Sequence, residues 1–345
     1  MTATFVTSRR DGTLATRFHY CPYNLRMRQA LLLYNPTAGR MPIHLFIGGI
    51  IRPMRSAGWK IEVVETISGR DTMRVAHQAA VEKYHAVFSI GGDGTASQVA
   101  NGLINTDTAL GVLPGGTMNV WASELGLHTF DWLHLGALRE NARLLARAPT
   151  HRVDVGICNG HVFMLWAGCG LDAQIVKQLE PRPRFEKYIA VPRYFAATVW
   201  NATLWHGMHL RVWNGDQNVD GHFLLAVATN IRRYAGGIAV LSPEAYVDDG
   251  EMDLWLMSGT NIADAFRHFF DLLAGRHLSS EEARKMPFSR VRIESETVFP
   301  VQMDGDPIMT TKQVDITVEK QALNVLLPEN GLRLLKPGSN GSQRA

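Results

Sequence analysis

The sequence predicts a chain of two parts, an α/β half built on a wound parallel sheet and a β-rich, sandwich-like half after it. Three observations predict this. Between residues 30 and 113, short apolar runs alternate with stretches of helical spacing, the pattern of parallel strands joined by crossover helices. From His151 onward the texture changes to short alternating runs separated by turn signals, among them Asn159-Gly160, a strong hairpin marker. The length of 345 residues agrees, because single cores rarely grow past about 250–300 residues.

Composition narrows the class. An apolar fraction of 46% and a charged fraction of 19% are those of a well-cored globular protein. The most apolar long stretch, residues 188–206, is interrupted by Pro192, Arg193 and Asn201, so no transmembrane helix is expected. The first residues carry no apolar signal-peptide core. Cys21, Cys158 and Cys169 have no metal or redox spacing and read as reduced thiols, which points to a cytoplasmic protein. A net charge of +3 is too small to argue for nucleic acid. Residues 1–28 hold Arg9, Arg10, Arg17, Arg26 and Arg28 against Asp11 alone. Three readings stand for this basic arm: a disordered extension, a transit-like segment, or attraction to anionic lipid at about 1 kcal/mol per residue.

Taken in order, residues 30–34 form a buried strand ending in the turn Asn35-Pro36-Thr37-Ala38-Gly39. Residues 42–57 read as a helix, 60–65 as a strand ending at Thr66, 72–83 as a helix and 86–88 as a strand. The loop Gly91-Gly92-Asp93-Gly94-Thr95 and the helix through Ala96, Ser97 and Gln98 follow. A strand that ends in glycines and opens a helix is the usual geometry for holding phosphate, since the backbone can approach the ligand and the helix offers unpaired N–H groups. Asp93 would repel phosphate unless Mg²⁺ lay between them. Residues 109–113 form another strand, closed by Pro114-Gly115-Gly116-Thr117-Met118-Asn119, and a helix is expected over 130–147. In wound parallel sheets ligands bind beyond the carboxyl ends of the strands, where both glycine loops and Thr66 lie. The α/β domain is placed at 29–150 and the β-rich domain at 151–321. The strand 322–327 returns to the first domain, and the tail 336–345 is disordered.

In the second part, Asn214-Gly215-Asp216 marks another turn. Asp172 reads as a helix cap or dipole partner. The basic loop 181–187 runs into an aromatic segment with Tyr194, Phe195, Trp200 and Trp205, which reads either as a cationic rim beside an apolar wall or as a solvated loop before a core helix. A helix is expected over 262–273, strands over 290–296 and 297–303, and between the last of these and the next strand lies Gln302-Met303-Asp304-Gly305-Asp306-Pro307.

These motifs resemble the diacylglycerol kinase catalytic family, which includes bacterial soluble lipid kinases and sphingoid-base kinases. Gly91-Gly92-Asp93-Gly94-Thr95 resembles its nucleotide signature, shared with NAD kinases and phosphofructokinases. Asn35 to Gly39 resembles the loop that lies over the nucleotide phosphates, and Pro114 to Asn119 the family's Pro-x-Gly-Thr-x-Asn loop. The family also places a nucleotide-contacting threonine at Thr66. Resemblance extends to Arg152-Val153-Asp154-Val155-Gly156, whose aspartate in the family joins a metal–water network; an ordinary strand residue is the other reading. Pro243 to Asp253 matches the family's Pro-x-Ala-x-x-Asp-Asp-Gly-x-Leu-Asp segment, which implies a structural Mg²⁺ on Asp249 with the Tyr246 and Glu251 carbonyls. The segment from Gln302 resembles Gln-x-Asp-Gly-Glu-Pro, the catalytic acidic pair, with Asp306 in place of the commoner Glu.

The resemblance implies an NAD kinase/diacylglycerol kinase-like fold and an ATP- and Mg²⁺-dependent kinase acting on a lipid hydroxyl at the membrane surface. Asp304 is placed nearest to general base, with Asp306 in support. Val120 and Ser97-Gln98 depart from the strict diacylglycerol kinase pattern. An NAD kinase-like enzyme on a soluble acceptor and an inactive lipid- or nucleotide-binding regulator therefore remain as alternatives. The acceptor lipid and the oligomeric state are not readable.

Overall fold

A computed structural model describes residues 27–36, 42–131, 134–179, 205–215 and 217–338. Residues 1–26 of the basic arm, most of Asn35-to-Gly39, the loop 181–187, the aromatic segment up to residue 204 and the tail from 339 lie outside the described residues; Arg28, expected in a disordered extension, instead opens the first strand and donates to the Ala57 and Ala146 carbonyls.

Four parallel strands organise the first half: β1 (Arg28–Tyr34), β2 (Trp59–Glu65), β3 (Ala86–Gly91) and β4 (Ala109–Pro114), in the order β2-β1-β3-β4. Both β3 and β4 are buried throughout, as a central parallel strand covered on two faces must be. Helices α1 (Ile47–Ser56), α2 (Gly69–Val81) and α3 (Asp93–Leu103) make the crossovers. Ser68 caps α2 by accepting from the Asp71 N–H. Helices α2 and α3 meet at Gly102, where a Cβ would stand 2.5 Å from the Met73 carbonyl. The expected helix over 42–57 divides into a 3-10 turn, Ile43–Leu45, and α1.

Short helix α4 (Val120–Glu124) follows the second glycine loop, and α5 spans only Ala137–Leu145 of the helix expected over 130–147. Asn141, inside α5, is fully buried. Its Oδ1 accepts from the His128 N–H and its Nδ2 donates to the His128 carbonyl, so the strap before α5 is held by a side chain rather than by helical bonds.

The β-rich half comprises β5 (Thr150–Cys158), β6 (His161–Phe163), β7 (Trp166–Gly170), α6 (Leu171–Leu179), β8 (Met208–Asn214), β9 (Gln217–Thr229), the ribbon β10 (Arg233–Tyr234) and β11 (Ala239–Val240), β12 (Met252–Ser258), α7 (Ile262–Leu273), β13 (Ala283–Phe288), β14 (Arg290–Met303) and β15 (Asp306–Leu326). Asn159 and Gly160 turn β5 into β6 with φ of 48° and 82°, the left-handed pair of a type I′ hairpin. Phe163, Leu254, Phe288, Ile293, Phe299 and Val314 belong to a core of its own. The two strands expected over 290–303 are one, because register shifts after Glu294 and after Val301 let β14 bend without ending.

β15 ties the halves together. It pairs antiparallel with β14 and β5, then its end lies parallel to β4 with Val325 opposite Leu110, giving one 13-stranded sheet. The bend between these roles falls at a register shift between Glu319 and Leu323, beside Gln321 with a φ of 49°. Asp154 holds that bend by accepting from the Gln321 N–H at 2.7 Å.

Candidate active site at the junction of the halves

The site grows from the carboxyl ends of β3 and β4. Gly91 closes β3, Gly92 is the N-cap of α3 and carries no side chain to cap it, and Thr95 and Ala96 donate their N–H groups to the Gly92 carbonyl. A Cβ on Gly91 would stand 2.5 Å from the Thr95 Oγ1, and one on Gly116 would stand 2.3 Å from the Gly92 Cα. The two glycine loops therefore touch backbone to backbone. Asn119, left-handed with φ 53°, shapes the second loop by accepting from the Gly116 N–H and donating to the Gly116 carbonyl. Thr117 is half-buried in that loop. This arrangement offers a helix N-terminus walled by bare backbone, which suits phosphate.

Asp93 answers its own puzzle differently from the expectation. Its carboxylate accepts from the Val120 N–H at 2.9 Å and the Trp121 N–H at 3.0 Å, capping α4 across the loop contact. Burial pushes its pKa up, against the pull of these backbone bonds. Its charge is met by a helix N-terminus, so no metal is needed to explain it.

The acidic hairpin from β14 to β15 closes over α3. Asp304 and Gly305 are its central residues, with φ of 51° and 90° and Met303 paired to Asp306. The Asp-Gly hairpin and the acidic pair are thus the same object. Asp304 is buried, and its carboxylate accepts from the N–H groups of Met164, Leu165 and Trp166 and from the Ser97 hydroxyl. Burial pushes its pKa up to about 6, with those four bonds opposing the rise. Asp306 is half-buried and faces the other way: its Oδ2 lies 3.5 Å from where a Cβ on Gly94 would stand. The carboxylate that looks onto the first turn of α3 is Asp306, and the one locked into the wall is Asp304.

Other expected site residues separate. Thr66 is a correction: it is fully buried, accepts from the Thr72 hydroxyl at 2.9 Å and takes its N–H to the Tyr34 carbonyl. It fastens the end of β2 instead of facing the cleft. Ser97 spends its hydroxyl on Asp304, Ala96 is buried, and Gln98 packs its stem against Gly69 at the start of α2. Asn35 and Pro36 stand at the carboxyl end of β1; Thr37, Ala38 and Gly39 lie outside the described residues.

The carboxylates expected at a metal are engaged in bonds within the protein. Asp154 gives both oxygens to backbone, Oδ2 to the Gly250 N–H at 2.6 Å and Oδ1 to Gln321. Asp249 accepts from the Glu251 N–H, and its Oδ2 faces the Lys336 ammonium at 3.9 Å. Tyr246 and Glu251, expected to lend backbone carbonyls, flank the same turn, and the Tyr246 ring lies under the Arg232 guanidinium. Asp93 is committed to α4. Among the described residues no group of three or more His, Cys, Asp or Glu is arranged to hold a metal.

The sequence also undervalued Asn119 and Gln302. Both were read as letters of a motif, although an amide side chain beside a glycine turn is itself a signal of backbone bracing.

A glycine-walled helix N-terminus faced by a carboxylate on the hairpin of an adjoining β-rich domain defines a phosphotransferase-type cleft. Residues 29–158 match the "Diacylglycerol kinase catalytic domain" family and residues 167–327 the "YegS C-terminal NAD kinase beta sandwich-like domain". The chain belongs to the diacylglycerol kinase and YegS-like family of lipid kinases. It is 31% identical over 259 residues to a "Probable lipid kinase YegS-like" of Chromohalobacter salexigens, covering 74% of this chain and 80% of that one. To a "Diacylglycerol kinase" of Bacillus subtilis it is 24% identical, over 81% of this chain and 90% of that one. A crystal structure of a diacylglycerol kinase from Bacillus anthracis superposes with a TM-score of 0.66 at 21% identity, covering 88% and 98% of the two chains, and shows the shared fold.

Proposed function

We propose that the protein is an ATP-dependent lipid kinase that transfers the γ-phosphoryl group to a hydroxyl of a diacylglycerol, a sphingoid base or a related lipid. The observation that carries this reading is the Asp306 carboxylate standing over Gly94 at the first turn of α3. A hydroxyl held between them would lie beside a phosphate seated on the glycine loops. As its oxygen bonds to the γ-phosphorus, the bond to the β-phosphate oxygen breaks, ADP departs and Asp306 takes the hydroxyl proton. Backbone N–H groups at Gly92, Gly94 and Thr117 hold the phosphates, in a cradle that the Gly116 and Asn119 bonds shape. Mg²⁺ enters this reading with the nucleotide, as MgATP.

Asp304 serves as the anchor that holds the hairpin against α3. The reading places the nucleotide domain at 29–150 and the acceptor-binding β-rich domain at 151–321, with 322–327 returning to the first. It also places the working enzyme at the cytoplasmic membrane surface, because its acceptor resides there; no described helix is long and apolar enough to cross a membrane. The test is incubation with γ-labelled ATP and a panel of lipids, with NAD as a soluble competitor acceptor, read by chromatography. Label in a lipid supports the reading; label in NAD alone, or ATP binding without transfer to any acceptor, overturns it.

A further inference from the structure

Asp172 stands in the first turn of α6, where the sequence expects a helix cap or dipole partner, and its carboxylate also makes side-chain bonds beyond the helix. It is buried in the first turn of α6 and accepts from the Gln302 Nε2 at 2.7 Å. Tyr234 donates a second side-chain bond to it. The other end of Gln302, Oε1, accepts from the Gly305 N–H at 2.9 Å. Gly305 is the residue between Asp304 and Asp306. The space is reserved: a Cβ on Gly168 would stand 2.7 Å from the Gln302 Nε2 and would overlap the Asp172 carboxylate.

We infer that Asp172 and Gln302 are positioning residues that aim Asp306 into the cleft by fixing the peptide between Asp304 and Gly305. The argument is one of donors and acceptors. An ionised carboxylate only accepts, so it admits the NH₂ end of Gln302 and rejects the carbonyl end. That choice leaves the Gln302 carbonyl, and nothing else, to face the Gly305 N–H. The amide is thereby locked in one of its two orientations, and the turn it holds is locked with it. Tyr234 extends the brace toward the nucleotide side. Its ring packs edge-on to Trp166, whose N–H holds Asp304. Just after it, a Cβ on Gly236 would lie 3.1 Å from the Met118 side chain in the second glycine loop.

The inference rests on the kinase reading for its activity assay, and the test separates the two. Asp172→Asn gives the amide a partner that can donate as well as accept, so Gln302 loses its fixed orientation. Gln302→Glu sets two carboxylates face to face. The pair Asp172→Asn with Gln302→Glu restores every bond: the new amide donates to the new carboxylate, which still accepts from the Gly305 N–H. The measurements are kcat and KM for ATP, melting temperature, and hydrogen exchange in a peptide spanning residues 303–307. Each single variant is expected to lower kcat about 10–100-fold, to change KM for ATP less than about threefold, and to speed exchange at Gly305 (effects of this order follow small misplacements of catalytic groups). The double variant is expected to return both kcat and exchange to within about fivefold of wild type. Gln302→Met, which removes both bonds without adding charge, replaces Gln302→Glu as the single variant if the latter does not fold. A double variant no better than the worse single, or singles with wild-type kcat and exchange, overturns the inference. If wild type phosphorylates no lipid, the kinase reading fails while the exchange measurements still decide the brace.

Discussion

Asp304 and Asp306 are two residues apart in one hairpin, and their surroundings assign them opposite work. Asp304 meets four donors and is closed in the wall, so an amide in its place turns an NH₂ group toward donors that need an acceptor. Asp306→Asn is expected to cut kcat by about 10²–10⁴-fold, the usual share of a general base, with melting temperature and ATP affinity near wild type. Asp304→Asn is expected to lower stability first and activity through it; steady-state kinetics and thermal melts of the two variants side by side decide the matter. Titration adds a second check on Asp304. Its folded-state pKa, about 6, lies above the ordinary carboxylate value of 3.8, so the folded state binds the proton more tightly than the unfolded state. Stability from this group is therefore full below about pH 4 and falls as pH rises through 6. The stability of wild type minus that of Asp304→Asn should fall by on the order of 3 kcal/mol across that window. Denaturant unfolding at a series of pH values measures it, and a flat difference would show that Asp304 titrates normally.

At the scale of elements, the contact between the two glycine loops is the tightest feature of the cleft. Gly116→Ala would push its Cβ to 2.3 Å from the Gly92 Cα, and the loops must part by about an ångström. The expected result is at least a tenfold rise in KM for ATP at a stability cost of about 1–3 kcal/mol. Gly48→Ala, in a helix with open space around it, is the matched control and should leave kinetics unchanged. Asp93→Ala strips the cap from α4 and should cost about 0.5–2 kcal/mol, read by denaturant unfolding. Much of this was legible. The apolar runs of β1, β3 and β4, the hairpin at Asn159-Gly160 and the bounds of α7 follow from local pattern, because burial on both faces, left-handed turns and an amphipathic face each leave a local mark. What was not legible arises from long-range partners. Thr66 at a strand end looks the same whether it faces a ligand or binds Thr72. Asp93 in a glycine loop gives no sign of a helix that begins 27 positions later. Nor does any local pattern announce that Asn141, inside α5, bonds both backbone groups of His128.

For the whole molecule, β15 makes the two halves a single sheet, and the cleft lies where it crosses. Val325 pairs with Leu110 on the nucleotide side, while Asp306 at the other end of the same strand supplies the cleft carboxylate. A strand shared in this way fixes the distance between the glycine loops and the acidic hairpin without a flexible linker. The ordered motifs in both halves made this assembly readable as a family resemblance, yet the pairing of β15 with β4 depends on a bend at Gln321 that no local pattern announces. The central claim is that Asp306, poised over the phosphate loops, carries phosphoryl transfer to a lipid. It is tested most directly by single-turnover transfer of γ-labelled phosphate from ATP to extracted lipid, comparing wild type with Asp306→Asn. The account predicts labelled lipid from wild type and a loss of about 10²–10⁴-fold in the variant with ATP still bound; undiminished labelling by Asp306→Asn, or no labelled lipid from wild type, would contradict it.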